Sequence, residues 1–116
     1  MKTLVVLNSS ESISYRRATR SILNILEHLG LMYEIVDLAW SRLSDQELRQ
    51  SHLLILGQEG VVRFLSEDEF SSIIRQVYQG LGLVVLDGFL PGYSATAVRL
   101  LEIAGFETNR TELVHL

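Results

Sequence analysis

The residues Leu83-Val84-Val85-Leu86-Asp87-Gly88 form an apolar run that stops on an aspartate and a glycine. In open α/β sheets, sites are built at the carboxyl ends of strands. A catalytic nucleophile would stand naturally at such a turn. Here the position holds a carboxylate, and the chain contains no cysteine. Thiolate catalysis, thiolate metal sites and disulfides are therefore excluded together. A carboxylate nucleophile at Asp87 would need an activating environment. The plainer reading is a turn residue that accepts backbone hydrogen bonds, followed by Gly88, which tolerates φ > 0. The other groups with chemical potential follow the first and third apolar runs: Asn8, Ser9 and Ser10, then Gln58 and Glu59. Glu59 and Asp87 could act as an acid/base pair if both converge on one pocket.

Further motifs narrow the choice. Hydroxyls and amides ahead of a helix, as in Asn8-Ser9-Ser10-Glu11-Ser12, can hold an anion. This stretch lacks glycine and carries Glu11, which repels phosphate. Capping of the helix by one of the serines explains it more simply. A phosphoacceptor domain would need acidic residues after the first strand and an aspartate after the third, where this chain has Asn8-Ser9-Ser10 and Gly57-Gln58. No Gly-x-Gly-x-x-Gly and no Walker loop is present. His28, His52 and His115 lack metal-ligand spacing, so no metal and no cofactor is expected. Trp40 and Tyr93 follow predicted strands, where an aromatic would suit a sugar or a protein partner. For each singly, a local hydrophobic plug is the preferred reading.

Composition sets the bounds. A chain of 116 residues makes one domain, and 47% hydrophobic residues exclude disorder. The net charge is −4, and the cations are scattered except for Arg16, Arg17 and Arg20, which read as a solvated helix face. No nucleic-acid footprint is present. The first apolar run breaks at Asn8, too soon for a signal sequence, and no run suffices for a membrane span. The expected compartment is the cytoplasm, unless the chain is cut from a secreted protein. Its apolar close, Leu113-Val114-His115-Leu116, suggests a piece of something longer.

Strands are predicted at Leu4–Leu7, Tyr33–Leu38, His52–Leu56 and Leu83–Leu86, with a fifth near Glu112–His115. A helix over Ser12–Leu29 shows Tyr15, Ala18, Ile22, Ile25, Leu26 and Leu29 at helical spacing. Ser44 and Ser66 each open a capping box; the first helix is short, and the second turns Phe70, Ile73, Ile74 and Val77 inward. A last helix spans Ser94–Ala104. The second strand carries Glu34 and Asp37, which mark an edge. Strands separated by helices imply right-handed crossovers and a parallel sheet. The predicted fold is a three-layer α/β sandwich, doubly wound and mainly parallel, ordered 2-1-3-4-5.

The order of parts resembles the class I glutamine-amidotransferase-like, flavodoxin-like fold. The likeness rests on the first strand with its polar loop, Leu31-Met32-Tyr33-Glu34-Ile35-Val36-Asp37, Leu53-Leu54-Ile55-Leu56-Gly57, and the elbow at Asp87-Gly88. Active members place a cysteine at that elbow, with His and Glu beyond. This chain has none at the elbow, and His115 is its only later histidine. The resemblance therefore implies a non-catalytic branch, as in the trimerisation domain of some β-galactosidases or accessory domains of polysaccharide-processing proteins. The implied role is binding a protein partner or packing against a neighbouring domain. A small-molecule or hydrolytic site at the strand ends is the alternative. The last helix carries Val98, Leu100, Leu101 and Ile103 as interface candidates, and the face made by that helix and the tail is expected to contact another subunit, as in a homo-oligomer, or a neighbouring domain of a parent protein.

Overall fold

The computed structural model describes residues 2–86 and 99–100. β1 (Lys2–Leu7) lies between β2 (Tyr33–Asp37) and β3 (Ser51–Leu56), and β4 (Gly82–Val85) pairs with β3. The order is β2-β1-β3-β4, and every pairing is parallel. Thr3 to Leu7 of β1 are all buried, as a strand covered on both faces requires.

Alternation along the strands divides the core in two. Leu4, Val6, Leu54, Leu56 and Val85 join Leu48 of α3 (Asp45–Arg49) and Phe70 and Ile73 of α4 (Glu67–Tyr78). Val5, Leu7 and Ile55 join Ala18 and Leu26 from the helical segment after β1. A short 3₁₀ turn at Val61–Phe64 adds Val61 and Val62 to the first cluster.

The predicted Ser12–Leu29 helix is one helical path with an irregular middle. α1 (Ser12–Ala18) runs into a π-helical turn (Thr19–Leu23) and then α2 (Asn24–His28). A π turn holds one extra residue, so later residues fall about 100° out of the α-helical phase. Leu26 stays buried, while Ile25 and Leu29 turn outward and Leu23 packs against the core instead. Both outward residues were expected inside. Polar side chains take up carbonyls of this turn: Ser21 Oγ donates to Arg17 O at 2.8 Å, and Thr19 Oγ1 donates to Arg16 O at 3.0 Å.

The remaining elements follow local signals. Ser66 completes a capping box with Glu69. Ser44 caps α3, but the Glu47 carboxylate meets the Ser44 hydroxyl rather than its backbone N–H. β2 is an edge strand, and Glu34 pairs with Lys2 at 2.9 Å. Asp37 does no edge duty; its carboxylate accepts hydrogen bonds from two loop amides. β4 is apolar throughout, yet Val85 is buried while Val84, on the opposite side, is exposed. Leu100 is fully buried in the first cluster, so its side chain serves the core of its own chain. The predicted fifth strand, Asp87, Gly88, Tyr93, Val98, Leu101 and Ile103 lie outside the described residues.

Candidate functional site

The carboxyl ends of β1 and β3 meet where the chain order reverses, the place at which open parallel α/β sheets bind ligands. Two of the candidate residues there are buried and fully engaged. The Gln58 carboxamide accepts from Asn8 N at 2.9 Å through Oε1. Its Nε2 donates to Asn8 O at 3.0 Å and to Ser14 Oγ at 2.8 Å. The side chain thus extends the β1–β3 pairing by one rung past the strands. The Asn8 side chain folds back over its own loop, and its Oδ1 accepts from Ser10 N at 3.0 Å and Ser10 Oγ at 2.5 Å. This is an Asx-type turn. Ser9 N donates to Asp37 Oδ1 at 3.0 Å, which ties the same loop to the end of β2. No serine caps α1. Glu11 stands at the N-cap without a side-chain capping bond, because Asn8 has already shaped the loop.

Asp37 shows what this loop needs electrostatically. Burial pushes its carboxyl up, but hydrogen bonds from Ser9 and Ala39 outweigh that and hold it below the usual carboxylate range. The anionic form is the one the loop requires.

Beside this bonded floor lies a cleft of about 590 Å³. One wall is the helical path after β1, with Ile13, Arg17, Ala18 and Ile22. The opposite side is Gly57, Gln58 and Glu59 after β3, and Leu86 after β4. A Cβ on Gly57 would sit 3.2 Å from both Ile22 Cδ1 and Val5 Cγ1, so glycine lets Ile22 close the inner end. Glu11 at the rim is engaged by Arg63 at 2.6 Å. Arg17 and Glu59 line the cleft and have no ion-pair partner among the described residues.

The structure therefore sorts the predicted residues. Ser10, Gln58 and Glu59 border the cleft, while Asn8 and Ser9 build the loop beneath it. Ser14, Arg17 and Ile22 were not predicted as site residues. Ser14 could not have been, since its bond to Gln58 spans 44 residues of sequence. Arg17 could have been noticed, one position before the buried Ala18 on the same helix. Trp40 is 86% exposed at the end of β2, so it does not plug the core. No group of metal-ligating side chains is found among the described residues, and no described helix is long and apolar enough to cross a membrane. Comparison with known proteins gives no match: no family model, no curated protein and no solved structure is similar to the chain.

Proposed function

We propose that this chain is a non-catalytic binding domain of the amidotransferase-like class, which holds a protein partner or a neighbouring domain. In this reading the sheet is doubly wound between two helical layers, with a fifth strand beside β4 in the order 2-1-3-4-5. The observation that carries it is the use made of Asn8 and Gln58. The polar groups nearest the chain reversal are spent on one another, and they shape a loop rather than present reactive atoms. The surface left beside them is a cleft with apolar side chains, Ile13, Ile22 and Leu86, suited to contact. A polysaccharide-processing parent protein fits the same reading.

Glu59 favours a second reading, a small-molecule or hydrolytic site at the strand ends, because it borders the cleft without an ion-pair partner among the described residues. A panel of amide, ester and glycoside substrates separates the two. The binding reading expects no turnover by the purified chain. Turnover that disappears in Glu59→Gln would establish the hydrolytic reading in its place.

A further inference from the structure

β2 pairs with β1 alone among the described residues, so its far edge is open. Backbone N–H and C=O groups alternate in direction along a strand. Leu38 N turns inward and donates to Leu7 O at 2.8 Å, so Ile35, three residues earlier, turns its own N–H and C=O outward. An open edge is commonly guarded by charge. Here the guards are spent within the chain. Glu34 is paired with Lys2 at 2.9 Å, and the Asp37 carboxylate accepts from Ser9 N and Ala39 N. Ile35 is 42% exposed at the middle of the strand.

Apolar surface stands at both ends of this edge. Met32, just before β2, is 84% exposed, and Trp40, in the turn after it, is 86% exposed. They are the two most exposed large hydrophobic residues among those described, and Leu29 and Leu31 add to the first end. Within one chain the five residues of β2 hold these ends about 16 Å apart. A two-fold axis brings them together. With the axis at Ile35, an antiparallel copy of β2 sets Glu34 opposite Val36 and Tyr33 opposite Asp37, so no like charges stand directly opposite. The two Ile35 residues exchange both backbone hydrogen bonds. An axis one residue to either side would present N–H and C=O groups already turned to β1. The same register carries Trp40 of each copy to the end where Leu31 and Met32 of the other stand, and an indole suits a thioether. Exposed fractions of this size on Leu29, Leu31, Met32, Ile35 and Trp40 amount to roughly 500 Å² of apolar surface. That matches the apolar share, about 65%, of the roughly 800 Å² that each partner buries in a stable homodimer.

We infer that this chain forms a two-fold homodimer through the β2 edge, which joins the two sheets into one continuous sheet. None of these edge residues borders the cleft, so the contact is independent of what the cleft binds. Sedimentation velocity on the full 116-residue chain across the micromolar range should show a species of twice the 13.1 kDa chain mass. Ile35→Lys sets two ammonium groups at the axis and should weaken the dimer at least about a hundredfold. Trp40→Ser should weaken it about tenfold. Both positions are exposed, and circular dichroism checks that each variant is folded. Ile35→Cys supplies a thiol in a chain without cysteine. Cα atoms of a hydrogen-bonded antiparallel pair lie about 5.5 Å apart, within the disulfide range of about 4.4–6.8 Å. Mild oxidation with diamide should therefore link two copies of Ile35→Cys and leave Ser71→Cys, on α4, unlinked. A monomer at every concentration would overturn the inference and leave the edge to an extended segment of another protein. A dimer indifferent to Ile35→Lys, or one that Ile35→Cys fails to link, would overturn it as well, because the interface would then lie elsewhere on the chain.

Discussion

The two faces of the sheet are built to different standards. Among the described residues, the face toward α3 and α4 gathers sixteen buried side chains into one cluster. The face toward α1 and α2 gathers five. β1 and β3 give buried residues to both, whereas the buried residues of β2 and β4, Val36 and Val85, go to the first alone. On the first face, α4 offers an unbroken twelve-residue helix with a complete capping box. On the second, the π turn rotates Ile25 and Leu29 away from the sheet, and Val84 and Leu86 remain exposed. The lesson is that one face holds most of the buried core, while the other leaves apolar side chains exposed.

The largest expected effect breaks the comparison at its strong side. Ile73→Ala removes a fully buried side chain of the α4 face and should cost about 3–4 kcal/mol, while Leu86→Ala should cost less than about 1 kcal/mol. Urea denaturation of both variants measures the contrast. Similar losses would mean that Leu86 is core as well.

Next comes the boundary between the faces. Gln58→Leu leaves the N–H and C=O of Asn8 buried without their partner and should cost about 2–3 kcal/mol. Hydrogen exchange at the Asn8 amide should rise in parallel. A variant as stable as the parent would show that the loop is held by Asp37 alone.

A smaller effect belongs to Glu69 on the strong face. Burial pushes its carboxyl up, but bonds from Ser66, Arg42 and Leu43 outweigh this and set it below the usual range. A carboxyl held lower in the folded than in the unfolded chain stabilises fully above its unfolded value, and that contribution is lost as pH falls through the folded value. Glu69→Gln should therefore cost about 1–2 kcal/mol at neutral pH and progressively less in acid. A pH-independent difference between parent and variant would remove this account of Glu69. Asp37 contributes with the same sign on the other face.

The smallest effect sharpens the role of the π turn. Deleting Ser21 should restore the α-helical phase and return Ile25 to the sheet. The chain has no cysteine, so a thiol introduced by Ile25→Cys reports its own exposure. Maleimide should label it rapidly in the parent and several-fold more slowly after the deletion. Equal rates would mean that the extra residue does not set the phase.

Much of the framework was legible because it depends on local pattern. The four strands lie within two residues of their predicted bounds, and Ser66-Glu67-Asp68-Glu69 announced α4 through capping chemistry. Glu34 marked β2 as an edge. The π turn was not legible, since Ile22, Ile25, Leu26 and Leu29 satisfy an unbroken helical spacing equally well. Asn8 and Gln58 were recognisable as residues at the strand ends, but their use as one another's partners depends on the β1–β3 pairing that brings them together. The openness of β4 was hidden for a similar reason, because Leu83-Val84-Val85-Leu86 reads the same whether one face is covered or two.

The difference between the faces is tested most directly at two adjacent residues. Val84→Cys and Val85→Cys place single thiols on opposite sides of β4 in a chain without other cysteines. Maleimide labelling under native conditions should modify the Val84→Cys thiol within about tenfold of the free-thiol rate. The Val85→Cys thiol should react at least about a hundredfold more slowly, because its labelling waits on local opening of the packed face. Equal protection of both thiols would contradict the account, since β4 would then be covered on both sides.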